Sequence, residues 1–251
     1  MKITFLGTGA ANLQKNRDYT ATAIEVGDSL YLIDAGASVF AKMTDYGLDA
    51  KKLRAVFITH GHFDHVGGLP MLVNVFCWTK TYGSHPPINY FFPEKRSIDT
   101  LTDFIGALGE GSSVKGNFDT YGEGEVYLDE NIKLIAIPTL HMKKDDGTAA
   151  SFAFALYAEG KCVVFSGDLS HDIDSEEIFN FLKQEKTDLF VCELAHFSQK
   201  RLLAKIKELP IGRVCFNHLP DSEENIRELK TVKNEYSFEI SAAYDGERVE
   251  V

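Results

Sequence analysis

The string Thr59-His-Gly-His-Phe-Asp-His65 sets three imidazoles and one carboxylate close together, directly after the apolar run Ala55–Ile58 and just before Val66-Gly-Gly68. This spacing serves neither one face of a helix nor one face of a strand. In a turn, however, such side chains can point at a common centre, which is what a multidentate metal site requires. Left without a partner at the edge of a core, each unsatisfied polar group would cost roughly 2–7 kcal/mol, and metal ligation offsets that cost. The plain alternative is a solvated loop, which would have gathered three of the chain's eight histidines without purpose.

A turn of this kind needs rigid elements around it. The first third alternates β-rich runs with turn residues: Ile3–Leu6, Gly7-Thr-Gly9, Thr20–Val26, the hairpin pair Gly27-Asp28, and Leu30–Ile33. This pattern predicts an antiparallel opening. A helix is expected over 37–46, closed by Gly47, then an interior strand over 55–58 and a helix over 69–79. From Pro86 to Gly124 the pattern weakens to a strand over 88–92, a helix over 97–108 and a glycine-rich piece before a strand over 125–128. Strands are clear again over 132–137, 151–157 and 162–165, followed by helix 175–185, strand 188–192, helix 198–208, strand 213–216 and helix 222–233. Strand-rich blocks with helices inserted in both halves predict an α/β architecture with two sheets face to face and helices outside, counted as one domain over 1–251.

The 251 residues are 44% apolar and 25% charged, an ordinary globular composition that excludes disorder. The formal charge of −11 disfavours long polyanions and acidic membrane surfaces. Cys77, Cys162, Cys192 and Cys215 lie far apart in apolar stretches, without zinc-ribbon spacing, and read as reduced core residues. Met1-Lys-Ile-Thr-Phe-Leu-Gly7 lacks a secretory h-region and no apolar run is long enough to span a bilayer, so the expected location is the cytoplasm, with no membrane partner.

The pattern His60-x-His62-x-Asp64-His65 resembles the signature of the metallo-β-lactamase superfamily. The resemblance implies an αβ/βα sandwich of two mixed sheets flanked by helices, with a dinuclear metal site between the sheets. It also implies a further His, a bridging carboxylate and a final His, each at the carboxyl end of a strand. His141, Asp168 within Ser166-Gly-Asp-Leu169, and His218 stand in that order and in those places. Carried over residue by residue, His60, His62 and His141 would hold one metal, Asp64, His65 and His218 the other, and Asp168 would bridge them. Such a ligand set leaves open coordination positions, as a catalytic site needs. Two divalent cations are implied; histidine-rich ligation suits Zn²⁺, while the carboxylates tolerate Mn²⁺ or Fe. A bridging water, its pKa lowered from about 15.7 towards about 7, would supply hydroxide, and the pocket would be net positive within an acidic protein.

Ile3-Thr-Phe-Leu-Gly-Thr-Gly-Ala-Ala11 and Tyr31-Leu-Ile-Asp-Ala-Gly36 look most like the phosphodiesterase branch, which includes tRNase Z and phosphonate-pathway cyclic phosphodiesterases. Asp34, at a strand end, is expected to accept hydrogen bonds from the ligand loop rather than to touch metal. His196 is not needed to complete either metal. Members of that branch use a non-ligand histidine near this place to protonate the leaving oxygen, so His196 is assigned as general acid and, with Asp64, as a catalytic residue. A structural histidine or a weak outer ligand remains the alternative for it. Glu193 would orient it or simply cap. His171 and His85 read as loop residues, Lys143 and Lys144 as part of a solvated turn. Lys15 and Arg17 are open between binding substrate phosphate and facing solvent. Unlike tRNase Z, whose long arm grips the tRNA, this chain offers only the short, base-poor stretch 86–124. The expected substrate is a small anionic ester, most simply a phosphodiester; nucleic acid is not expected, and a homodimer stays open. Lactone or thioester hydrolysis on the same site is the runner-up, and a catalytically silent metal-binding or ligand-sensing module the non-enzymatic reading.

Overall fold

The computed structural model describes residues 1–12, 15–78, 82, 84–108, 114–220 and 236–251, so the helix expected over 222–233 lies outside the described residues. The strands are β1 (Lys2–Gly7), β2 (Ala21–Val26), β3 (Ser29–Ile33), β4 (Leu53–Phe57), β5 (Asn89–Phe92), β6 (Asn117–Thr120) and β7 (Gly124–Leu128) in the first half. The second half supplies β8 (Lys133–Pro138), β9 (Phe152–Ala158), β10 (Lys161–Phe165), β11 (Thr187–Glu193), β12 (Ile211–Asn217), β13 (Glu239–Ala242) and β14 (Arg248–Glu250). They form two seven-stranded sheets, ordered β14-β1-β2-β3-β4-β5-β6 and β13-β12-β11-β10-β9-β8-β7.

The inner faces of the sheets pack on each other. Phe5, Ile24, Tyr31 and Phe57 of the first meet Leu134, Phe154, Leu156 and Val163 of the second, all fully buried. Strand β9 explains why its sequence reads as one apolar run: Phe152, Phe154 and Leu156 face the other sheet, while Ala153 and Ala155 face the helices behind. Each Phe or Leu buried in this way stabilises the fold by about 1.5–3 kcal/mol. Helices α1 (Val39–Asp45), α3 (Leu69–Trp78) and α4 (Lys95–Leu108) cover the first sheet's outer face through Val39, Met43, Leu72, Val73, Phe76, Leu101 and Ile105. On the other side α5 (Ile178–Gln184) and α6 (Gln199–Ile206) bury Ile178, Phe179, Leu182, Leu202, Leu203 and Ile206. The single turn α2 (Phe63–Val66) lies within the histidine-rich segment.

Strand direction positions the site. β3, β4 and β5 are mutually parallel, as are β10, β11 and β12, and β8 runs with β10 because both are antiparallel to β9. The carboxyl ends of β3 and β4 and of β8, β10, β11 and β12 therefore carry the loops that bear His60 to His65, His141, Asp168, His196 and His218.

The sequence pattern misses β6, β13, β14 and α2. Asn117-Phe-Asp-Thr120 is a mostly exposed edge strand with no buried face to impose alternation, and Arg248-Val-Glu250 is a three-residue edge. Cys162, Cys192 and Cys215 are buried, whereas Cys77 is only half-buried; all four are free thiols. No helix among the described residues is long and apolar enough to cross a membrane.

Candidate metal centre

The two sheets bring seven side chains into two groups: His60, His62, His141 and Asp168 in one, Asp64, His65 and His218 in the other. Nδ1 of His62 stands 3.1 Å from Nε2 of His60 and 3.1 Å from Nε2 of His141. Asp168 faces both groups. Its Oδ2 lies 3.7 Å from His60 Nε2, 3.6 Å from His141 Nε2 and 3.4 Å from His218 Nε2, while Oδ1 lies 3.3 Å from His65 Nε2. Asp64 Oδ2 closes the second group at 3.6 Å from His65 Nε2 and 3.7 Å from His218 Nε2.

Donor atoms 3–4 Å apart are the separation expected of ligands that each sit about 2.0–2.2 Å from a shared cation. His65 Nε2 and Asp168 Oδ1 are buried and have no hydrogen-bond partner. Two such orphaned atoms 3.3 Å apart are what a cation would satisfy, so the residues fit divalent metal.

His65, His218 and the loops of His141 and Asp168 are held from behind. Asp34 has φ 60°, a left-handed conformation that an Asp tolerates better than most side chains. Its Oδ2 accepts from His65 Nδ1 at 2.7 Å, and its Oδ1 accepts from the backbone N–H of Thr59 at 2.8 Å. His218, also left-handed at φ 50°, has Nδ1 2.6 Å from the Thr20 hydroxyl. The buried Glu176 carboxylate accepts from the N–H of Leu140 at 3.0 Å and of Ser170 at 2.6 Å, tying the loop of His141 to the loop of Asp168. Thr20 and Glu176 carry no local signal. Glu176 sits among Ser175 and Glu177 like any solvent-facing helix start, and only the fold brings it to backbone N–H groups of two distant loops.

The electrostatics sort the imidazoles. Burial holds His60 well below the ordinary histidine range, with His65 adding to the effect, and burial brings His141 down to about 4. Their nitrogens are therefore neutral and ready to ligate near pH 7. For His65 burial also acts downward, but the carboxylates of Asp168 and Asp34 override it and hold its pKa well above the ordinary value. Burial opposes ionisation of Asp168, yet His218 and His65 keep it well below the usual carboxylate range.

His196 lies beside the centre, its ring 4.7 Å from that of His141 and its Nδ1 4.0 Å from Asp168 Oδ2. Glu193 takes Nδ1 of His196 at 2.8 Å and, with the same carboxylate, the N–H of Leu169 at 2.6 Å. Burial lowers the His196 pKa, but Glu193 and then Asp168 lift it to a net rise. The other candidates lie apart from the ligand groups. His171 is exposed and its Nδ1 meets the carbonyl of His196 at 2.6 Å; His85 bonds the carbonyls of Pro86 and Lys51. Lys143 and Lys144 belong to a tight turn closed by Lys144 N–H to Thr148 O at 2.8 Å. Lys15 is exposed, whereas Arg17 is buried: its Nη1 donates to Thr8 Oγ1 and to Ala243 O at 2.7 Å, fastening the loop before β2 to the chain's C-terminal segment.

Fold and site together define a protein of the metallo-β-lactamase fold. Its overall shape matches the metallo-β-lactamase fold protein YhfI from Bacillus subtilis, with a TM-score of 0.77 at 21% identity over 100% of this chain and 99% of that one. The human tRNase Z short form superposes equally well, with a TM-score of 0.77 at 20% identity over 100% and 99% of the two chains. Residues 1–211 match the family model described as anti-Pycsar protein Apyc1, and the chain belongs to that family.

Among curated relatives, the ribonuclease Z of Methanocaldococcus jannaschii is 31% identical over 147 residues, 56% of this chain but only 44% of the relative. That of Mycobacterium marinum is 24% identical over 100% of this chain and 99% of its own length. The name ribonuclease Z weighs against the expectation that nucleic acid plays no part, and reopens RNA as a substrate class to be tested. The described residues of 86–124 meanwhile form β5 and β6 of the first sheet and α4, which packs on that sheet's outer face.

Proposed function

We propose that the chain is a dinuclear metal-dependent hydrolase acting on a small phosphodiester, working as one domain over 1–251. The observation that carries this reading is Asp168, whose two oxygens face the two ligand groups while Oδ1 and His65 Nε2 are left without partners. His60, His62, His141 and Asp168 would hold one cation, and Asp64, His65, His218 and Asp168 the other. Two divalent ions, for which this donor set best suits zinc, would acidify water and polarise the ester.

The chain's own residues supply the rest. Glu193 occupies His196 Nδ1, so Nε2 is left to carry a proton to the leaving oxygen, and the raised pKa favours the protonated imidazole. The curated relatives' name supports a phosphodiester over a lactone or thioester. The charge of −11 and the scarcity of lysine and arginine in 86–124 support a small substrate over a folded RNA. Four free cysteines support a reducing compartment, the cytoplasm.

The test is a panel run on zinc- and manganese-loaded protein: bis(p-nitrophenyl) phosphate, a lactone, a thioester and a short RNA with a 3′ extension. Diester cleavage that tracks two bound metal equivalents is the expected result. Turnover of the lactone or thioester alone overturns the substrate class, RNA cleavage alone overturns the small-substrate reading, and two metal equivalents with no turnover point to a silent binding module.

A further inference from the structure

Residues 243–247 pass from β13, at the edge of the second sheet, to β14, at the edge of the first, and none of their side chains belongs to either ligand group. The segment is bonded to both sheets. The N–H of Ala243 donates to Phe216 O of β12 at 2.8 Å, that of Gly246 to Phe5 O of β1 at 2.7 Å, and that of Phe5 to Glu247 O at 3.0 Å. Between these anchors the Asp245 carboxylate meets the Gly7-Thr-Gly9 turn. Its Oδ1 accepts from the Thr8 backbone N–H at 2.9 Å and from the Thr8 hydroxyl at 2.7 Å, and its Oδ2 accepts from the N–H of Asp18 at 2.6 Å. Arg17 Nη1 donates to the same Thr8 hydroxyl and to Ala243 O, with the Tyr244 ring 4.9 Å from the guanidinium carbon.

The turn passes this restraint on to His218. The Thr8 carbonyl accepts from the N–H of Leu219 at 2.9 Å, and the N–H of Ala10 donates to Leu219 O at 3.2 Å, so the turn is laced to the residue that follows His218. Gly9 supplies a second link: the Thr20 hydroxyl lies 3.1 Å from Gly9 O and 2.6 Å from His218 Nδ1. A carbonyl can only accept, so the single hydroxyl proton goes to Gly9 and the hydroxyl oxygen takes Nδ1–H of His218. The neutral imidazole therefore carries its proton on Nδ1. Nε2, which faces Asp64 and Asp168, keeps the lone pair that ligation needs. The turn has no other place to go, since a Cβ at Gly7 would stand 1.9 Å from Tyr19 O and one at Gly9 3.1 Å from Arg17 Cβ.

We propose that Asp245 is a positioning residue for the cation held by Asp64, His65 and His218: by pinning Thr8 and Asp18 it keeps the Gly9 carbonyl where it fixes the orientation and tautomer of His218. The assignment rests on the dinuclear reading above, in which His218 is a ligand. Asp245 acts through Thr8, Gly9 and Thr20, so its influence is confined to one of the two ions.

The experiment titrates zinc into the metal-free full chain against a chromophoric chelator, for the unsubstituted protein, Asp245→Asn, His218→Ala and the double variant. The unsubstituted chain should bind two equivalents. Asp245→Asn keeps one acceptor oxygen but turns an amide NH2 toward N–H donors. It should weaken one equivalent by about 10–100-fold, the loss usual when an outer partner of a metal ligand goes, while the other keeps its affinity. His218→Ala should keep only the ion of His60, His62, His141 and Asp168. Adding Asp245→Asn to it should change that ion's affinity by less than about twofold, because the effect runs through His218. A merely structural contact would weaken both ions, or the remaining ion in the double variant, and either result overturns the proposal. Two affinities unchanged in Asp245→Asn overturn it as well. Thr8→Val keeps the side chain's shape without its hydroxyl and should reproduce the selective loss; if Asp245→Asn does not fold, this variant decides, unchanged affinities again overturning the proposal. Should the unsubstituted chain bind fewer than two equivalents, the dinuclear reading falls and the role of Asp245 with it.

Discussion

The carboxylate of Glu193 stands 2.8 and 2.9 Å from Nδ1 of His196 and, through one of the same oxygens, 2.6 Å from the backbone nitrogen of Leu169, next to Asp168. One buried group thus fixes the tautomer and charge of the proposed acid and holds the loop of the shared carboxylate.

A pH profile tests the first of these roles. Burial lowers the His196 pKa, but Glu193 and Asp168 together outweigh it, so the imidazole is protonated below a raised value and loses its proton as pH climbs through it. Turnover should fall along that alkaline limb. Glu193→Gln keeps one acceptor but removes the charge, so the limb should move to lower pH; it is read at saturating metal, because the same carboxylate also accepts from the N–H of Leu169 beside Asp168. An unmoved limb rules out His196 as the acid.

Metal counting separates the shared ligand from an unshared one. Asp168→Asn should lose both ions, whereas His141→Ala should retain about one equivalent, because only the former side chain faces both groups. Elemental analysis after loading reads this directly, and equal losses from the two variants would contradict a bridging Asp168.

Glu176 touches no proposed ligand side chain, yet it accepts from Leu140 and Ser170 and so sets the spacing between His141 and Asp168. Glu176→Gln places an amide group where two N–H donors need acceptors. Metal affinity should drop by about 10–100-fold, as when outer partners of metal ligands are lost, with the circular dichroism spectrum retained. Unchanged affinity in a competition assay would make the contact merely structural.

Metal removal should also cost stability, because His60, His62, Asp64 and His65 come from the first sheet's loops and His141, Asp168 and His218 from the second's. Ions that bind only the folded chain add about 2.7 kcal/mol at a hundredfold excess over Kd. Chelation should then lower Tm by roughly 5–10 °C. A Tm insensitive to chelator would place the ions, if bound at all, outside this junction.

Much of this was written locally. His60-x-His62-x-Asp64-His65 is legible because its ligands lie within one turn, and β9 and β11 are legible because a strand buried on both faces must be apolar throughout. Strand β6 was not, since an exposed edge places no demand on its side chains. Arg17, like Lys15, was open between binding a substrate phosphate and facing solvent, and only the packed C-terminal segment reveals it as buried.

By itself, then, the sequence determined the residue types of the centre, the order in which they arrive and the strand ends that present them, because periodicity and turn chemistry are properties of neighbours along the chain. Tertiary structure alone supplied the distances that set Asp168 between two histidine groups, decided that Thr20 and Glu176 stand behind the ligands, and left an open aromatic groove beside them. Those relations join residues on different sheets and loops, and their distances exist only once both sheets have buried their inner faces against each other.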